Sequence, residues 1–339
     1  PAPVGEVGTP TYNFCVVVDD IDMKITHVIR GDGHVMNTPR QINIFRALGV
    51  EPPVFGHTPT VLGNDGEKLS KRHGATGLSD YKDNGYLPEA IINGLARLGW
   101  SHGNEEIFSP QQLVEWFNLE SLTPSPARFD AEKFEWLNGE HIKRLPVDEL
   151  AKRLQPFLEE QGYFKSVHGG PVDRDALPSA LAVAELLRER APTLRKMAEM
   201  ARYCYVAPIV GQHSLILQLA NVTASVGSLM NQQSEQAAET AESIRANVAA
   251  MEEGAKTMML LTQHLTDANE PAIEWVAQQL FSVQWNKTAI AAMLKEAQTQ
   301  FSVKTPQVMM PLRILLTGSA QAPAVDALLL TLGREESLR

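Results

Sequence analysis

The sequence predicts an α/β fragment followed by a long, almost wholly helical region. Three observations support this. Strand-like runs rich in β-branched and aromatic residues fall within positions 11–63. Beyond Asp80, capped and proline-initiated helix starts recur to the end of the chain. Between Ile209 and His264 there is neither proline nor an aromatic residue, while Ala, Gln, Ser and Met dominate.

Each element has its own signal. TYNFCVVV (11–18) taken alone reads as a strand, although a short apolar run ending in Asp19-Asp20 leaves a helix open. ITHVIRG (25–31) is a second strand candidate. In NTPRQINIFRALGV (37–50), Thr38 is the expected N-cap, Pro39 takes the first helical position and Gln41 completes a capping box. Ile42, Phe45 and Leu48 then share one face, with Gly49 as the stop. VFGHTPTVLG (54–63) is a strand or hairpin arm closed by the turn Asn64-Asp65-Gly66.

YLPEAIINGLARLGWS opens a helix at Pro88, with Ile91, Ile92, Leu95 and Leu98 at helical spacing. SPQQLVEWF (109–117) has Ser109 as cap, then Pro110 and Gln112 as the box partner. In DAEKFEWLNGEHI (130–142), Asp130 caps and Phe134, Leu137 and Ile142 are buried positions. VDELAKRLQPFLEEQG, ALPSALAVAELLRER, PAIEWVAQQLF, NKTAIAAMLKEAQTQF and PAVDALLLTLG continue the helical style. Within 209–264, the runs Leu215, Leu219, Val222, Val226, Leu229 and Ala237, Ala241, Ile244, Val248, Met251, Ala255, Met258 keep a coiled-coil-like period.

Composition narrows the functional classes. At 339 residues, 44% apolar and 21% charged, the chain suits two or three soluble domains. No run approaches the ~20 apolar residues that span a bilayer. PAPVGEVGTP reads as a linker or as a cut inside a longer protein. Cys15 and Cys204 stand far apart without a CxxC or Cys/His cluster, which favours a reducing, cytoplasmic setting and argues against zinc. A net charge of −10 is unusual for a nucleic-acid binder, yet a local basic face can bind phosphates on an acidic protein.

The densest basic stretch is Lys68-Leu69-Ser70-Lys71-Arg72, set between Gly66 and Gly74. Lys68 and Lys71 can neutralise a triphosphate as pyrophosphate leaves, Ser70 can donate a hydrogen bond, and the glycines let such a loop close and reopen. Read alone, the motif is weak, and a basic surface loop explains it better than an ATP site does.

TPTYNF, ITHVIRGDGHVMNTPRQINIFRALG, HTPTVLGNDGEKLSKRHGA and YLPEAIINGLARLGWSHGNEEIFS follow one another in order. Together with ARFDAEKFEWLNGEHIKRL, MARYCYVAP and the tail from LTDANEPAIEW to PLRILLTG, they closely resemble bacterial glutamyl-tRNA synthetase, a class I aminoacyl-tRNA synthetase. KLSKR matches that family's KMSKS-type loop.

The resemblance implies glutamate activation by ATP with Mg²⁺, then transfer of glutamate to the 3′ end of tRNA-Glu, by a cytoplasmic, monomeric enzyme with no membrane association. It implies that Lys71, with Lys68, Leu69 and Ser70, contacts ATP, and that Arg30 binds a glutamate carboxylate. Tyr12 would be a substrate-contacting tyrosine. Bland readings stand beside these: Tyr12 as a core aromatic, Arg30 as a structural ion-pair partner, His34 and His57 as structural polar residues. Asp19 and Asp20 are either Mg²⁺ ligands or an acidic element end. Arg195 and Arg202, seven apart with Lys196 adjacent, share one face of a predicted helix and are either tRNA contacts or an exposed salt-bridged face.

The expected organisation is the C-terminal part of a Rossmann-like catalytic domain over 1–78, a helical stem-contact or connector domain over 79–145, and a helical anticodon-binding domain over 146–339 interrupted by an atypical insert at 209–264. That insert could mediate helix–helix association. The sequence departs from the family in having no His-x-Gly-His, so a chain lacking the N-terminal half, inactive alone, is expected. Gly33 and Met36 replace an acid and an amide of the family pattern, and Gly94 replaces a bulky residue. The alternative reading is a non-catalytic tRNA-binding module or one half of a split synthetase.

Overall fold

A computed structural model describes residues 10–70, 77–123, 125–164, 177–208 and 234–338. Contacts divide the chain into two units, Pro1–His141 and Ile142–Arg339.

The first unit opens with helix α1 (Tyr12–Asp22), where the local pattern suggested a strand. Tertiary packing decides the matter. As a helix the segment buries Val17 completely, packs on α2 (Thr38–Ala47), and lets Asn13 Oδ1 accept from the buried Gln41 amide at 3.0 Å. Strand β1 (His27–Gly31) leads through a 3-10 turn (Asp32–Asn37) and α2 into β2 (Val54–Thr58). The strands run parallel, with Arg30 opposite His57. Helix α2 ends as expected: Gly49 adopts φ +73, a conformation glycine takes without Cβ strain.

Next come α3 (Leu78–Asp83), α4 (Pro88–Ala96), α5 (Pro110–Trp116) and α6 (Ala131–Arg144). The box at α5 forms as read: Ser109 Oγ accepts from the Gln112 amide and Gln112 Oε1 from the Ser109 amide. Asp130 caps α6 through the Lys133 amide, and Phe134, Leu137 and Ile142 are buried. Helix α4 presents a different face from the one expected. Leu87, Ala90, Ile91 and Gly94 point inward, while Ile92 and Leu95 are exposed. Gly94 has a packing role in this helix. A Cβ there would lie 2.6 Å from Phe134 Cζ, so its absence makes room for the ring.

Asn93, fully buried, ties this region together. Its Oδ1 accepts from the Phe108 amide at 3.1 Å and from His141 Nε2 at 2.9 Å, and its Nδ2 donates to the Glu106 carbonyl at 3.2 Å. Every polar atom of the amide is engaged, the condition under which a buried polar group is retained without penalty.

The second unit is helical. Helices α7 (Val147–Glu160), α8 (Ala180–Leu187) and α9 (Leu194–Met200) bury Leu150, Leu154, Leu158, Val183, Leu187 and Met197 between them. Helix α10 (Ser234–His264) follows, then α11 (Glu270–Leu280), α12 (Lys287–Gln300), α13 (Thr305–Thr317) and α14 (Val325–Ser337). These last four share a core that includes Val276, Ile290, Leu294, Val308, Leu312 and Leu329. Along α10, Val248 is 40% exposed, and among the described side chains Gly254 and Thr257 are buried where the helix meets α13. Ala237 and Ala241 of the expected run lie outside the described side chains. The companion run Leu215–Leu229 lies outside the described residues.

Candidate active site

Thr38 and Gln41 have capping-box spacing, but α2 is not capped by them. Its cap position is Asn37, without a side-chain cap bond. Instead Arg30 Nη2 donates to Thr38 Oγ1 at 2.8 Å and to Gln41 Oε1 at 2.7 Å. A guanidinium is a charged donor and makes the stronger bond, so it outcompetes the backbone amides for both acceptors. The Thr38 hydroxyl also donates to the His34 carbonyl at 3.2 Å and lies 3.0 Å from His57 Nε2.

Arg30 is therefore held from one side by neutral groups, with its Cζ 5.4 Å from the centre of the Phe55 ring. Its Nε is buried and has no hydrogen-bond partner. Among the described residues it makes no ion pair within 4 Å, so the structural ion-pair reading does not hold. The nearest acidic influence is Asp20, whose carboxyl is pushed up chiefly by burial, while Arg30 pulls it down and Asp19 pushes it up. Tyr12 is 52% exposed rather than core, and its hydroxyl lies 3.4 Å from His34 Nδ1. The fold thus gathers Tyr12, His34, Thr38, Gln41, Arg30 and His57 into one hydrogen-bonded cluster, at the carboxyl ends of two parallel strands. Ligands of open α/β sheets bind at such ends.

The basic stretch leaves a tight hairpin. Gly66 at φ +82 closes the turn, the Gly63 amide donates to the Glu67 carbonyl at 2.8 Å, and Leu62 pairs with Lys68. A third rung comes from far along the chain: the Leu62 amide donates to the Ala127 carbonyl at 2.9 Å and the Phe129 amide to the Leu62 carbonyl at 2.8 Å. Leu69 does not present its side chain to solvent. It packs against Phe129 and Phe134 while its amide donates to Val61, so it anchors the loop.

Lys68 is exposed and makes no ion pair among the described residues. It still lies within electrostatic reach of Asp32, just beyond β1. That carboxylate is held low first by the Thr60 hydroxyl at 2.6 Å, then by the Thr60 amide, with Lys68 adding to the effect. Ser70 is exposed, and Lys71 lies outside the described residues with Arg72, His73 and Gly74.

Residues 5–136 match the family described as "tRNA synthetases class I (E and Q), catalytic domain", and residues 215–339 match "Anticodon binding domain". The glutamate–tRNA ligase of Herminiimonas arsenicoxydans is 45% identical over 328 residues, and that of Paraburkholderia xenovorans is 46% identical.

The chain is homologous to the glutamate–tRNA ligases. It spans 58% and 59% of those two relatives, while 97% of its own length is covered. A crystal structure of a glutamate tRNA ligase from Elizabethkingia meningosepticum, in complex with its amino acid, superposes with a TM-score of 0.70 at 25% identity. That match covers 98% of this chain and 59% of the other.

The anticodon-binding match begins at residue 215, inside the segment read as an atypical insert, so 215–264 is part of the matched region. In the same unit Arg195 and Arg202 do not share a helix face. Arg195 and Lys196 stand in the first turn of α9, whereas Arg202 belongs to a separate 3-10 turn (Ala201–Cys204) that begins where α9 ends. Arg195 pairs with Glu160 at 3.0 Å and lies over Phe157, and Arg202 pairs with Glu253 at 2.6 Å.

Asp19 and Asp20 stand side by side near the end of α1. Among the described residues no group of three or more His, Cys, Asp or Glu could hold a metal ion. No helix among these residues is long and apolar enough to cross a membrane.

Thr38, Gln41 and Asp32 are site residues that the sequence did not reveal. The Thr38/Gln41 pattern was visible but is locally indistinguishable from a helix cap. Nothing in the sequence links Asp32 to Thr60.

Proposed function

We propose that this chain carries the glutamate-binding and tRNA-binding parts of a cytoplasmic glutamate–tRNA ligase. Glutamate's α-carboxylate would attack the α-phosphorus of ATP, giving glutamyl-adenylate and pyrophosphate. The 3′-terminal ribose hydroxyl of tRNA-Glu would then take the acyl group and release AMP. The single observation that carries the reading is Arg30. It is oriented by Thr38 and Gln41 through Nη2, makes no ion pair within 4 Å among the described residues, and is left with an unsatisfied buried Nε. A guanidinium in that condition keeps its Nε and Nη1 donors for a carboxylate, as charge-assisted hydrogen bonds. Tyr12 would contact the same substrate.

Lys68, Ser70 and Lys71 would stabilise the charge that develops on the triphosphate, by position and electrostatics with no covalent intermediate. The Leu69 anchor would set where that loop can swing. Mg²⁺ would arrive with ATP, since the described residues offer no protein cage for it, and no step is assigned to it. Arg195, Lys196 and Arg202 would meet tRNA phosphates only by exchanging their present partners, so an exposed ion-paired face is the better-supported role for Arg195 and Arg202.

The test is tRNA-dependent ATP–pyrophosphate exchange and glutamate charging by the full-length protein, against glutamine and aspartate as competing amino acids. Selective charging with glutamate is expected. Failure to discriminate glutamate from glutamine would overturn the reading.

A further inference from the structure

Beside the hairpin lies a cavity of about 330 Å³ to which the proposed reaction gives no role. Its floor is apolar: Phe134, Leu137 and Leu98 line it, and Gly94 supplies no side chain. Its rim carries the cations Arg97, Arg128 and Lys133 and one carboxylate, Asp130. Arg97 and Lys133 share Glu106 Oε1 at 2.9 and 2.8 Å, so one carboxylate answers part of their charge. Arg128 is exposed and has no carboxylate partner among the described residues. An apolar floor with a net positive rim is the lining of a small-ligand pocket, and the volume lies at the lower end of the range such pockets occupy.

The wall of the cavity is also part of the hairpin. Ala127 and Arg128 line it, and the Ala127 carbonyl accepts from Leu62, whose strand neighbour is Lys68. We propose that this cavity binds a small aromatic anion, with its ring on Phe134 and Leu137 and its charge on Arg128, and that its occupancy holds the hairpin carrying Lys68. A rigid aromatic body gains most from the apolar floor at little cost in conformational freedom, and a guanidinium pairs with carboxylate or phosphate in a planar fork. A ligand that binds only the closed ladder stabilises that ladder by mass action.

The test uses phenyl phosphate on the 339-residue chain, with phenol and inorganic phosphate as half-ligands. Binding is followed by calorimetry and by hydrogen exchange of single amides. Phenyl phosphate should saturate at millimolar or lower concentration, at least tenfold tighter than either half-ligand. Arg128→Gln should weaken it fivefold or more, whereas Lys68→Ala should leave it within twofold, which separates the cavity from the basic loop. Gly94→Ala adds a methyl 2.6 Å from Phe134 Cζ, drives the ring into the cavity and should abolish binding. If that variant does not fold, Arg128→Gln alone decides. The Leu62 and Phe129 amides should exchange at least fivefold more slowly with ligand, while those of α2 change less than twofold. Equal affinity for inorganic phosphate, indifference to Arg128→Gln, or a loss on Lys68→Ala would each overturn the assignment. Uniform slowing across α2 and the ladder would overturn the link to the hairpin.

Discussion

Replacing Asn93 with leucine tests how the first unit is held together. Asn93 has no exposed surface and satisfies three partners from two atoms. Leucine is close in volume but leaves the Phe108 amide and the His141 Nε2–H buried without acceptors. Each orphaned donor costs about 1–3 kcal/mol. Burying leucine returns roughly 1.5–3 kcal/mol against a polar amide at the upper end. The Glu106 carbonyl also loses its donor, which adds a smaller cost because a carbonyl tolerates under-satisfaction better than an N–H. The net loss should be about 2–3 kcal/mol, or roughly 6–10 °C in Tm for a unit of this size. The assay is calorimetry of the full chain, with hydrogen exchange used to assign the affected transition to Pro1–His141. A loss below about 1 kcal/mol, or one confined to the second unit, would refute the claim that this amide is the structural tie.

Other outcomes follow from the same geometry. Arg30→Lys keeps the charge but removes the fork, and in the full-length protein it should raise KM for glutamate about 100-fold while KM for ATP moves less than threefold, the scale of losing one charge-assisted pair. Lys71→Ala should lower kcat/KM by ~100-fold or more. A change below about threefold would demote the loop to a surface feature. Cys204 is 1% exposed and its thiol is pushed up to about 12 by burial, so a thiol reagent at pH 8 should modify the half-buried Cys15 and leave Cys204 unmodified until the chain unfolds.

Glu106 gives a pH signature. Its carboxyl is held below the ordinary value of 4.5, first by Lys133 and then by Arg97. The folded state therefore gains stability from the ionised group, fully present above that value and lost as pH falls through the lowered one. The Tm difference between the native chain and Glu106→Gln should be constant from pH 7 to 6 and shrink as pH falls below 4.5. A difference that did not shrink on acidification would mean that the side chain acts by packing rather than by charge.

Two identical local patterns show where sequence stops being enough. Ser109/Gln112 and Thr38/Gln41 both have capping-box spacing with a proline between. The first forms the box because no stronger partner reaches it. The second binds Arg30, which arrives from a neighbouring strand with a charged donor that local sequence cannot register. Likewise TYNFCVVV has strand propensity but becomes a helix, because only that form buries Val17 and brings Asn13 to Gln41.

By itself the sequence determined what depends on neighbours within a few residues: the caps at Ser109 and Asp130, the stops at Gly49 and Gly66, the helical succession after Pro88, and the motif order shared with the glutamate–tRNA ligases. Only tertiary structure decided what depends on residues far apart in the chain. It oriented Arg30, turned Leu69 inward as an anchor, stitched Leu62 to Ala127 and Phe129, fitted Phe134 over Gly94, and separated Arg195 from Arg202. Local propensity differences are a fraction of a kcal/mol per residue. A charged hydrogen bond or a well-filled apolar contact is worth several times more, so where the two conflict the distant partner prevails.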